Sequence, residues 1–293
     1  MALFSSDRNK FKMITATTIK TTTTTKVLAK TKPGRWQFLL IFCLSCFAIE
    51  GAATSSPDFE REARISEQIE PGLFDGEVVW LHGNDHDFLS IYVPLDNPVG
   101  AVVLMHGRDV NPEEQNLIGP LRVGLSERGW STLAIQMPVL EKGKTYYDYL
   151  PILSYAHERI KTAIDFLKKE GHDVIVLAAH SCGAHMTNDW LNANGNALIK
   201  GYVAMGLGAT DAGQELKTPF PLADINVPVL DIYGADEFPR PLAMVPERRK
   251  MLDQGGNKYS EQISVEGADH YFTGKGDQMI ELVSGWLDRT FVE

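Results

Sequence analysis

The sequence predicts one α/β domain built on a mostly parallel sheet, and three observations carry that prediction. Apolar, strand-like runs alternate with amphipathic, helix-like segments from about residue 77 to the C-terminus. Several runs, Val99 to Met105 above all, are apolar throughout rather than at every second residue, as in strands covered on both faces. One of them, Val174 to Ala178, leads into Ala179-His180-Ser181-Cys182-Gly183 and then a segment that can be helical. Strand, small residue, x, Ser, x, Gly, helix is the order of a nucleophile elbow. The turn is so sharp that the residues two before and two after the serine must be small, as Ala179 and Gly183 are.

Residues 54–75 read as a polar leader with a short helix, and residues 76–293 as the domain. Glu77 to Trp80 and Phe88 to Val93 read as two strands, an antiparallel start to the sheet. The segment between them holds His82, Asp85, His86 and Asp87, but Gly83-Asn84-Asp85 is ordinary hairpin chemistry, so no metal site is read there. Val99 to Met105 ends in His106-Gly107-Arg108-Asp109. Asn111-Pro112-Glu113-Glu114 then predicts a helix start: a cap, proline at the first position, acids in the first turn. Leu117, Leu121 and Leu125 keep one face, and Gly129 ends the helix.

Ser131 to Gln136 reads as the next strand, and Met137 to Leu150 as a loop rich in tyrosine (Tyr146, Tyr147, Tyr149). Ala156, Ile160, Ile164 and Leu167 mark a second helix, closed by Lys168, Lys169 and Gly171. After the elbow come strands at Gly201 to Met205 and at Val227 to Tyr233, the latter followed by Gly234-Ala235-Asp236-Glu237. Leu242 to Leu252 reads as helix. Tyr259 to Val265 is the last strand and runs into Gly267-Ala268-Asp269-His270, before a closing helix on Met279, Ile280, Val283, Trp286 and Leu287. Only about twenty residues separate the strands at Met205 and Val227, too few for a large helical lid. The expected site is therefore open, edged by Tyr146 to Tyr149 and by Thr210 to Pro221.

The N-terminus has another character. Residues 1–35 carry eight basic residues and one acid, Asp7, and an apolar run follows from Trp36 to Ile49, with Gln37 and Ser45 its polar residues. Glu50-Gly51-Ala52-Ala53-Thr54 supplies a small-x-small end. This is the pattern of a secretory signal peptide over residues 1–53, which predicts export to the periplasm or the extracellular space. The run is short for a membrane span, so no stable span is expected after processing; an uncleaved anchor is the alternative, and lipidation at Cys46 a weaker one. The long basic region makes Met13 a second candidate start. Removing residues 1–53 takes away eight of the 28 basic residues and two of the 38 acidic ones, leaving a formal charge near −16. So negative a chain is unsuited to nucleic acid or to anionic membrane surfaces. Of the three cysteines only Cys182 would remain, so no internal disulfide and no zinc thiolate cluster can form, and no cofactor is implied.

In open α/β sheets ligands bind beyond the carboxyl ends of the strands. Ser181, Asp236, His270 and His106-Gly107-Arg108 all fall there, in the chain order Ser, Asp, His. A serine hydroxyl needs a base to take its proton, which His270 can do. A carboxylate holds the imidazole in its useful tautomer, the part assigned to Asp236 over its neighbour Glu237 and over Asp231 within the strand. Two backbone N–H groups must meet the oxyanion, and Cys182 and Arg108 are positioned to supply them. Gly107, Tyr146 and Tyr147 are the candidate substrate-binding residues. Arg108 is set either to bind a substrate anion or to pair with Asp109. His180 is read as a prop of the elbow, and the Cys182 side chain as packing.

Leu104-Met105-His106-Gly107, Ala179-His180-Ser181-Cys182-Gly183, Tyr233-Gly234-Ala235-Asp236 and Ala268-Asp269-His270 resemble the α/β-hydrolase superfamily from about Val99 to Glu293. His106 to Pro138 is also similar to a bacterial subfamily without a settled activity. The resemblance implies a hydrolase of the esterase, lipase, thioesterase or peptidase type, acting on a small-molecule or acyl substrate; ester cleavage is the first reading, thioester or peptide cleavage by the same triad the second. A non-catalytic scaffold that binds a partner or ligand is the reading from another class, and a metallohydrolase is a distant third.

Overall fold

The computed structural model describes residues 55–83 and 86–292. The expectations for residues 1–53 (signal peptide, anchor, lipidated Cys46, start at Met13) lie outside the described residues.

The strands are β1 (Glu77–Gly83), β2 (His86–Val93), β3 (Gly100–Met105), β4 (Trp130–Ile135), β5 (Ile175–His180), β6 (Gly201–Met205), β7 (Val229–Gly234) and β8 (Glu261–Val265). The helices are α1 (Phe59–Ile69), α2 (Ile118–Ser126), α3 (Tyr146–Tyr149), α4 (Leu153–Lys169), α5 (Cys182–Asn194), α6 (Pro239–Ala243), α7 (Val245–Gly255) and α8 (Gly276–Phe291). One eight-stranded sheet forms in the order β1-β2-β4-β3-β5-β6-β7-β8. β1, β2 and β4 pair antiparallel, and every pair from β4 to β8 is parallel.

The all-apolar strands are explained by two cores. In β3, Ala101, Val103 and Met105 join one core with α4 and α5, while Val102 and Leu104 join the other with α2 and α8. Alternate residues thus face different helices, and neither set can be polar. Among the described residues, no large cap covers the carboxyl ends of the strands.

Two expectations change. The helix read from Asn111 begins at Ile118. Residues 111–117 fold into turns, because Asn111 turns back on the Glu113 N–H (2.8 Å) and the Glu114 carboxylate caps the N–H groups of Asn116, Leu117 and Ile118. The tyrosine-rich loop contains α3, started by a reciprocal cap between Thr145 and Asp148. The short helix expected within residues 54–75 is α1, and it is fastened to the domain. Asp58 caps the Arg61 N–H at 2.8 Å, and the buried Glu62 carboxylate pairs with the buried Arg159 of α4 at 2.8 Å and accepts the Val139 N–H. Burial raises the Glu62 carboxyl, against the pull of Arg159.

Candidate active site

The β5–α5 junction places Ser181 at φ 53°, ψ −117°, a strained conformation for a residue with a side chain. Two contacts hold it. The Ser181 N–H donates to Met205 O at 3.0 Å, and Gly183 packs so tightly on the end of β3 that a Cβ there would come within 2.4 Å of His106 O. A serine on such a turn stands clear of the sheet, at the end of its central strands.

His270 follows β8. Its Nε2 lies 2.8 Å from Ser181 Oγ, and its Nδ1 lies 2.8 Å from both carboxylate oxygens of Glu237. Of the three residues expected to meet, Ser181 and His270 do and Asp236 does not. Asp236 is exposed, and its backbone N–H is spent on Ala268 O. The turn after Gly234 directs the next side chain, Glu237, inward, where it is buried. Gly206, at φ +64°, makes the room: a Cβ there would lie 3.0 Å from His270 Cε1 and 3.4 Å from Glu237 Oε2. Asp231 is also fully buried, but it is bound to Arg248 Nε and to Gln262 Nε2, each at 2.8 Å.

His106 and His180 fix the backbone around this line. Burial lowers His180 to about 3 and His106 to about 4, so both rings are neutral. His180 donates from Nε2 to His270 O at 2.9 Å. His106 donates from Nδ1 to Gly107 O at 2.8 Å and accepts the Met137 N–H at Nε2 at 2.9 Å. In a trans peptide C=O and N–H point opposite ways, so anchoring Gly107 O directs the Arg108 N–H away from His106. Gly107 itself lies against Ser181 and His180. Cys182 opens α5, where the helix offers its N–H no acceptor. Burial pushes the Cys182 thiol up to about 12, which keeps it inert.

The Arg108 side chain does not pair with Asp109. It forms a two-pronged pair with Asp211 (2.6 and 3.1 Å) and donates to Lys144 O. Although burial works against it, Arg108 and the Tyr146 N–H hold the Asp211 carboxyl below its usual range. Asp109 is gripped by Arg61 of α1 through its side chain and its carbonyl, each at 3.2 Å. Tyr146 and Tyr147 divide. Tyr146 lines the cleft over Ser181 and accepts the Lys217 and Thr218 N–H groups at its hydroxyl. Tyr147 lies outside the cleft wall, its hydroxyl accepting the Glu215 N–H. His185 stacks on Tyr146 at 4.7 Å and donates to Ala209 O. Asp211 and Arg61 are the site residues that sequence reasoning missed, and Glu237 is the one it weighed and placed second to Asp236. For Glu237 the one available signal was its place beside Asp236.

The fold is that of the α/β-hydrolases. Est1E from Butyrivibrio proteoclasticus superposes with a TM-score of 0.56 at 16% identity, over 74% of this chain and 99% of its own. A dienelactone hydrolase from Anabaena variabilis gives 0.58 at 17% identity, over 73% and 97%. A predicted CIB-like hydrolase from Thermoplasma acidophilum gives 0.53 at 17% identity, over 73% and 98%. No curated protein matches the sequence. Across residues 15–148 and 152–289 the sequence fits one family, and the chain belongs to it: the family described as protein of unknown function (DUF3530).

Proposed function

We propose that the protein is a serine hydrolase that cleaves a carboxylic ester through an acyl-enzyme. The observation that carries the reading is His270 bridging Ser181 Oγ and Glu237, 2.8 Å from each. With its Nδ1–H given to the carboxylate, the imidazole presents a bare Nε2 to the serine hydroxyl. Ser181 Oγ attacks the ester carbonyl while His270 takes its proton. The carbonyl oxygen gathers negative charge and is met by the N–H groups of Cys182 and Arg108. The acyl C–O bond then breaks, and the alcohol leaves with the proton from His270. Water, deprotonated by the same imidazole, attacks the acyl carbon; the acid departs and the proton returns to Oγ. Glu237 stabilises the imidazolium.

Other chains of this fold carry the word hydrolase in their names, which agrees with the reading. A fluorophosphonate probe should label the wild type at Ser181 and fail on Ser181→Ala. Ser181→Ala and His270→Ala should each reduce ester turnover by roughly 10⁴-fold or more, and the double variant by no more, because the two act as one unit. Full activity in Ser181→Ala would leave the non-catalytic scaffold as the better reading. For location, the basic and then apolar N-terminus supports export, and the exported protein should have an intact mass that starts near Thr54. Full-length protein confined to the cytosol would refute it.

A further inference from the structure

Two cavities meet at Ser181, and they differ about eightfold in size. The wide one, about 580 Å³, is lined by His270, Tyr146, His185, Phe238 and Arg240. The small one, about 70 Å³, is lined by Gly107, Glu114, Asn116, His180, Tyr271 and Arg108, whose guanidinium is already paired with Asp211. His270 borders the wide cavity and not the small one.

That difference orients the substrate, given the serine-hydrolase reading on which this inference rests. The leaving oxygen has to come within hydrogen-bond reach of His270 Nε2, which delivers its proton. The alcohol therefore sits in the wide cavity, and the acyl group is left the small one. At about 10–15 Å³ of such space for each water-sized group, 70 Å³ holds about five non-hydrogen atoms, the size of a butyryl group. The wall's chemistry narrows the choice further. Glu114 is a carboxylate fixed on three N–H groups, so an alkyl chain laid over it would strip its remaining water, and an anionic acyl group would be repelled. On the other side the exposed Phe238 and Tyr271 rings flank His270, at 4.9 and 5.1 Å between centroids, and offer apolar surface to a bulky alcohol.

We propose that the enzyme removes a short, neutral acyl group, acetyl to butyryl, from a bulky alcohol. In the step this implies, the ester C–O bond breaks, the alcohol takes the proton held by His270, and the acyl group remains on Ser181 Oγ until water releases it as the short acid.

The test is kcat/KM on p-nitrophenyl acetate, propionate, butyrate, hexanoate and octanoate, with the fluorophosphonate probe run in parallel. Acetate, propionate and butyrate should be the best substrates, with a loss of roughly 10- to 200-fold once a methylene no longer fits. Tyr271 lines both cavities and is half-exposed, so Tyr271→Ala should open the small cavity and raise the octanoate-to-acetate ratio by about tenfold or more. Asn116→Ala should move the ratio the same way. A wild type that labels at Ser181 but prefers octanoate, or variants that label and keep the wild-type ratio, would overturn the acyl assignment and leave the hydrolase reading standing. A wild type that neither labels nor turns over any ester would overturn both.

Discussion

His270 Nδ1 lies 2.8 Å from both carboxylate oxygens of Glu237, while Asp236, one residue earlier, points to solvent. Glu237→Gln should therefore lower kcat by about 10⁴-fold near neutral pH, since an amide at that place favours the wrong imidazole tautomer. Asp236→Asn should stay within a few-fold of wild type. Steady-state kinetics on one p-nitrophenyl ester decides it, and the reverse pattern would return the acid to Asp236.

Arg108 and Asp211 close the cleft wall from two loops, and the same carboxylate accepts the Tyr146 N–H at 2.6 Å. Arg108→Ala should raise KM for neutral and anionic esters alike, because it loosens the wall rather than deleting a free cation. Asp211→Asn should do the same, and a double-variant cycle should give a coupling of about 1 kcal/mol, modest because both side chains are partly open to water. A loss confined to anionic esters would instead make Arg108 a substrate ligand.

Three neutral, buried histidines predict an acid-sensitive fold. Burial lowers His180 to about 3, and His106 and His185 to about 4, against about 6.5 in the unfolded chain. Between those limits the unfolded state binds more protons, so stability rises with pH. The contribution is complete above about pH 6.5 and is lost as pH falls from there toward 4, by about 1.4 kcal/mol per pH unit for each histidine. Urea midpoints from pH 4 to 8 should show this slope, and His180→Asn should flatten it by one proton. A flat midpoint over that range would contradict it.

Helix α1 should be needed for folding, because it supplies one half of a buried ion pair. Glu62→Ala strands the Arg159 guanidinium and should cost about 3–5 kcal/mol in urea unfolding. A chain that begins at residue 76 should be insoluble or molten. Native stability in that truncation would return residues 54–75 to the role of a leader.

Much of this was legible in the sequence for one reason: strands covered on both faces and an elbow turn impose local composition. Val99–Met105 and Ala179–Gly183 could hardly be built of other residues. What stayed hidden depends on which way a side chain turns, or on partners far along the chain. Asp236 and Glu237 share one turn, and composition does not tell which of the two faces in. Asn111 carries a good capping pattern, but Glu114 caps the helix several residues later with its own carboxylate. Glu62 meets Arg159 ninety-seven residues away, Arg108 meets Asp211 one hundred and three away, and no local pattern announces either pair.

The strand order also ties the activity to an edge of the sheet. Ser181 stands on β5, deep within the sheet, whereas His270 follows β8, an outermost strand whose residues are mostly half-exposed. In native-state hydrogen exchange, β3, β5 and β6 should be the slowest to open and β8 among the fastest. Release of that margin would carry the imidazole away from a nucleophile still held in place. Under mild urea or gentle heating, turnover should fade before far-UV ellipticity does, which makes catalysis a sensitive reporter of partial opening.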